Sequence, residues 1–178
     1  MTKTILLGLL VLGLGNALAD RPVSEEMGSR MTLRGEGLLR VGYLFKVYEA
    51  RLFVQENAPT ADVLTDVAKR LEIRYLRPIK AADIIEIGDQ TLQRQVGPEQ
   101  LQQIQDRVAT INSWYADVRP GDIYTLTYVP GQGSELALNG KSLGTIEGAD
   151  FAAAYFGIWL DHRTKYTEFR NALLGGSG

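Results

Sequence analysis

The chain has 178 residues, with 19 Lys and Arg against 21 Asp and Glu and a formal charge of −2, which suits one domain with a real core. That balance is not the clustered basic excess of a nucleic-acid binder. With no cysteine and a single histidine, His162, the sequence excludes disulfides, thiol catalysis, thiolate metal sites and a zinc site built on histidine alone.

Residues 1–19 read as a cleavable signal peptide. Lys3 supplies positive charge, Ile5 to Leu14 is an apolar run broken only by glycines, and Ala17 and Ala19 form an A-x-A site before Asp20. The run is about half the ~20 apolar residues that a spanning helix needs, so no stable membrane anchor is expected. The predicted organisation is a signal peptide over 1–19, one domain over 20–174 and a flexible tail over 175–178. The predicted location is periplasmic or secreted.

Met31 to Val54 predicts two strands, with Gly35 and Gly37 marking a bulge or a close backbone approach in the first. The second, Tyr43 to Val54, is apolar on both faces at its start, which predicts a central strand covered on each side. Ala61 to Ala68 reads as a short helix with Thr60 as its N-cap. Leu71 to Leu76 alternates strictly and ends before Pro78, as a half-buried strand does. Apolar residues then recur at three and four residues from Ala81 to Val96. They do so again from Leu101 to Tyr115, with Pro98 suited to the first helical turn. Ile123 to Val129 is a strand. Leu136 to Leu138 and Ser142 to Ile146 flank Asn139-Gly140, a strong hairpin signal because both residues accept positive φ. Asp150 is the expected cap of an apolar helix, Phe151 to Leu160, and Lys165 to Leu174 closes the domain. The predicted class is α+β: an antiparallel, twisted sheet with helices over one face, and room for a ligand cleft between the layers.

No nucleophile elbow, zinc-protease helix, phosphate loop or dinucleotide fingerprint is present. His162, between Asp161 and Arg163, reads as a surface histidine at a helix end; the alternative is a lone general base. Arg40, Tyr48, Arg51, Arg74 and Arg77 sit in or beside predicted strands. An interior arginine needs an anionic partner, supplied either by Glu36, Glu49 or Glu72 or by a ligand carboxylate held bidentately.

At Gly35-Glu36-Gly37-Leu38-Leu39-Arg40, then Lys46-Val47-Tyr48-Glu49-Ala50-Arg51-Leu52-Phe53, the sequence resembles the chalcone isomerase-like family in its bacterial secreted branch. The resemblance continues through Leu71 to Arg77, Gly121-Asp122, Tyr128 to Gly133, Asn139-Gly140, Gly144 to Phe151 and Ile158 to Leu160. It implies the chalcone isomerase fold, a large antiparallel sheet with a helical layer and a cleft between them. It also implies that Arg40 is the cleft arginine that holds a phenolate or carboxylate, and that Tyr48 stands where the plant enzymes carry a catalytic threonine. The enzyme set's tyrosine, lysine and asparagine have no counterparts over Ala82 to Gly88, and Gly157 falls at its threonine or serine. One arginine cannot supply both orientation and proton transfer, so flavanone-forming catalysis is not expected.

The expected function is therefore non-catalytic binding of a fatty acid or similar amphipathic carboxylate, with Arg40 and Tyr48 as ligand-binding residues. No catalytic residue, metal or cofactor is called for. The alternatives are an isomerase (an intramolecular lyase) acting on a chalcone-like or enone molecule, with Tyr48 as its acid–base group, and an interaction protein whose cleft is filled by Tyr48, Phe156 and Trp159. The expected partner is a small amphipathic or phenolic ligand, not nucleic acid.

Overall fold

The structure, a computed structural model, describes residues 31–176 other than 43, 57 and 60–62. The predicted signal peptide and its cleavage site lie outside the described residues, as does Thr60. The described elements are β1 (Met31–Val41), β2 (Phe45–Gln55), β3 (Lys69–Tyr75), α1 (Ala81–Gln95), α2 (Pro98–Asn112), β4 (Ile123–Val129), β5 (Gly133–Leu138), β6 (Lys141–Ile146), α3 (Ala149–Leu160) and α4 (Thr167–Leu173). The strands form one six-stranded antiparallel sheet in chain order, β1 to β6. The α+β class read from the sequence is the class observed.

Strand alternation builds the core. Leu52, Leu71, Leu126 and Leu136 are successive register partners across β2 to β5, and all four are buried on the helix side. Burial of each such side chain contributes ~1.5–3 kcal/mol. The apolar helix expected over Phe151 to Leu160 falls in α3, whose Phe151, Ala152, Tyr155, Phe156 and Leu160 are buried. Asn139 and Gly140 both take positive φ, 51° and 79°, and close the β5–β6 hairpin as their types allow. Gly35 and Gly37 do mark a close approach. A Cβ at Gly35 would fall 2.1 Å from the Ala172 carbonyl oxygen, and one at Gly37 2.9 Å from the Phe169 ring. α4 can therefore press directly on β1.

Three local expectations differ from what is observed. β2 is not covered on both faces: it lies next to the edge strand β1, and Phe45, Glu49 and Arg51 are exposed. The apolar start of β2 lines a surface groove instead. Val63 to Ala68, the described part of the expected short helix, is turn and bend. Asp150 is not the cap of α3. Gly148 occupies that position, and the Asp150 carboxylate is held bidentately by Arg107 at 2.9 and 2.6 Å, across to α2. Gly175 and Gly176, placed in the tail by the sequence reading, donate to the Ala172 and Asn171 carbonyls at 3.2 and 2.9 Å.

Candidate functional site

Tyr48 lies on the helix side of β2, in register with Leu39 on β1 and Tyr75 on β3. Its ring meets Tyr75 and Phe169 edge-on, each at 5.8 Å between centroids. The contacts continue from Tyr75 to Tyr124 and from Tyr124 to Tyr115. Tyr115 shares a 3.0 Å hydrogen bond with Tyr155 of α3, which stacks on Phe151. Aromatic side chains thus fill the space between sheet and helices, each edge-to-face pair being worth ~0.5–1.5 kcal/mol beyond its area. Burial pushes the phenols of Tyr48, Tyr75, Tyr115 and Tyr155 well above their ordinary range, so they stay neutral at physiological pH.

Tyr48 differs from the others in two respects. It is half-buried where Tyr75 and Tyr155 are sealed, and its oxygen accepts a hydrogen bond from Trp159 Nε1 at 3.1 Å. Among the described residues its own O–H meets no acceptor, so a donor is available at the margin of the aromatic layer.

Arg40 occupies the next rung of the ladder. Leu39 pairs with Tyr48 and Arg40 with Lys46, and a register shift between the two pairs interrupts the alternation there. Arg40 is exposed. Among the described residues it makes no hydrogen bond or ion pair, so its charge is not consumed by an internal partner. Of the other arginines named from the sequence, Arg51 pairs with Glu72 at 2.7 Å, one of the carboxylates expected for it, and Arg77 lies 5.7 Å over the Phe45 ring. Arg74, like Arg40, is exposed and makes no hydrogen bond or ion pair among the described residues. His162 has a side chain 79 % exposed, near Asp161.

Beyond Arg40 the two strands open into a groove of about 920 Å³. Its floor is Val41, Phe45, Val47, Ile79 and Ile87, with Phe45 59 % and Ile87 61 % exposed. Arg77, Lys80 and Arg119 also line it, together with Asp117 and with Asp83 and Glu86 of α1. Lys80 is neutralised by Asp117 at 2.6 Å, each partner holding the other in its charged form. Sequence reading missed this groove because it draws on β1, β2, the β3–α1 connection and the segment before β4. The two-sided apolar start of β2 was its one visible trace.

Lys69, the first residue of β3, was also missed. It is completely inaccessible, donates to the Thr65 and Val67 carbonyls at 2.8 and 3.0 Å and lies 4.6 Å from the Tyr128 ring centre. Tyr128 in turn donates to Asp66. Burial lowers the Lys69 amine to about 8, the nearby Asp66 charge only partly opposing this. Extending the Leu71–Ile73–Tyr75 alternation back by two residues would have placed Lys69 on the core face.

A single antiparallel sheet, four described helices over one face and an aromatic interlayer with an arginine and a tyrosine at its margin define the chalcone isomerase type of α+β domain. The family model described as chalcone isomerase-like matches residues 16–175, and the chain belongs to that family. Among solved structures the chain is similar to the crystal structure of an Arabidopsis thaliana fatty-acid binding protein. That match has a TM-score of 0.64 and 13 % identity, and covers 83 % of this chain and 88 % of the other. At that identity the likeness is one of fold. No curated protein matches the chain.

Proposed function

We propose that the protein is an exported, non-catalytic binder of a fatty acid or similar amphipathic carboxylate. The ligand carboxylate rests on Arg40, with the Tyr48 hydroxyl as a hydrogen-bond donor, and the acyl part lies along Val41, Phe45 and Val47. The observation that carries this reading is a groove with an apolar floor, one of whose lining residues, Val41, directly follows an arginine with no partner among the described residues. Its volume suits a small-molecule site, typically ~300–1,000 Å³. The Arabidopsis protein of the same fold is a fatty-acid binding protein, in agreement with that ligand class. The aromatic packing under the helices favours the groove over the interior as the place for the chain.

The test is native mass spectrometry of protein purified from its own compartment, with the solvent extract analysed for acids and lipids. A near-stoichiometric acyl species supports the proposal. An apo mass that does not shift on addition of fatty acids overturns it, and points to an interaction protein whose own aromatics close the cleft. The unused Tyr48 O–H is the one feature that favours an isomerase. Turnover of a chalcone panel that disappears in Tyr48→Phe would establish that reading instead.

A further inference from the structure

A second cavity lies on the helical side, away from the groove. α1 ends at Gln95, and Val96 leaves the helix in an extended conformation. Gln95 is 4 % exposed, yet neither its Nε2 nor its Oε1 has a hydrogen-bond partner. Buried polar side chains nearly always have one, and an orphaned amide is costly to keep. Gln95 lines a cavity of about 180 Å³ between the end of α1, α3 and the segment after it. Small residues create the space: Ala153, Ala154 and Gly157 line it, and a Cβ at Gly157 would still be 3.8 Å from Gln95 Oε1. Leu64 and Val96 complete an apolar wall.

The charges at the rim are already matched. Arg163 donates Nε and Nη2 to the two oxygens of Asp161 at 2.8 and 2.6 Å, which leaves no cation to draw an anion in. Two amides line the cavity, Gln95 and the exposed Gln100; of these Gln95 is the buried one without partners, and it offers a donor and an acceptor side by side in one plane. We propose that this cavity binds a small neutral molecule carrying adjacent N–H and C=O groups, a lactam or primary amide, through a two-point contact with the Gln95 side chain. The cavity is smaller than a drug-sized site, which limits the ligand to a single small ring or a short amide. Both amide atoms are shielded from solvent, so binding turns the amide about Cγ–Cδ, a torsion with broad wells.

The experiment is a titration of the full chain with δ-valerolactam, followed by the side-chain NH₂ resonances of ¹⁵N-glutamine-labelled protein. N-methyl-δ-valerolactam, which lacks the N–H, is the control. The Gln95 pair should shift and saturate with the lactam, at least tenfold more weakly with the N-methyl compound. The response should vanish in Gln95→Leu and weaken in Gly157→Ala, which narrows the cavity without a clash. Arg40→Ala should leave it unchanged, so the outcome is independent of the carboxylate groove. Equal responses to both compounds, no response, or water cross-peaks to a Gln95 amide that the lactam does not displace would overturn the proposal; the last would make this a hydration site only.

Discussion

Arg40 on β1 and Lys69 on β3 show opposite ways of keeping a cation. Arg40 is exposed and without a partner among the described residues, so its removal should cost no more than ~0.5 kcal/mol of stability. Arg40→Ala should therefore weaken retention of a C16 carboxylate by tenfold or more with an almost unchanged melting temperature. A large loss of thermal stability with unchanged retention would place the arginine in the scaffold instead. Lys69 is inaccessible, and its folded-state value of about 8 lies below the ordinary 10.5. Below pH 8 both states carry the proton and the native state bears the whole cost of burying the charge. Between about 8 and 10.5 the unfolded chain binds more protons than the native one, so stability rises with pH through that window. The gain is at most roughly 3 kcal/mol by linkage. Denaturant titrations at pH 7 and pH 10 should show the rise in the wild type and its absence in Lys69→Met.

Among the elements, the strands were the most legible, because alternation of period two states both the element and its buried face. Leu71, Ile73 and Tyr75 are a clear instance. The Asn139-Gly140 turn was legible for a different reason: its backbone conformation is accessible to few residue types. The stretch from Ala61 to Ala68 misled because its composition suits a helix, whereas in the fold Val63 to Ala68 is shaped by its neighbours, with Lys69 holding two of its carbonyls. Arg40 and Tyr48 were named from the family resemblance, but the groove lined by Val41, Phe45 and Ile87 could not be read from the sequence, since residues distant in sequence meet there only in the fold. Two element-level changes should move stability in opposite directions. Gly35→Ala drives a methyl group into the α4 backbone and should cost about 3 kcal/mol or more, since overpacking against a soft side chain alone costs ~1–3. Its test is a thermal melt, and an unchanged midpoint would mean that α4 is free to move off β1. Gln95→Leu removes the orphaned amide at the α1–α3 seam and should stabilise by ~1–3 kcal/mol, the desolvation cost of an unmet polar group. A loss of stability would show that the amide finds partners in solution.

In the whole molecule the two faces of the sheet have different duties. Helices and aromatics occupy one. On the other, Glu36, Arg51 and Glu72 follow one another across β1 to β3 as register partners, with Arg51 and Arg70 both paired to Glu72. Arg51 and Arg70 also lie over the Phe53 ring. Such a face holds its charges in a ladder of opposite signs, each exposed pair contributing ~1 kcal/mol or less. Among the described residues no helix is long and apolar enough to cross a membrane.

The strand order bears on how quickly the fold can be reached. β1 to β3 form one meander and β4 to β6 another, each assembled from neighbours in sequence. Among the described strands, the pairing that must wait for the longest loop to close is β3 with β4, which brings Lys69 opposite Tyr128 across the whole α1–α2 excursion. Loop closure of that kind sets the barrier when the remaining contacts are local. The seam that carries the buried ammonium is therefore the expected folding bottleneck. Substitutions along it should appear in the refolding rate, whereas those in the β1–β2 and β5–β6 hairpins should appear in unfolding.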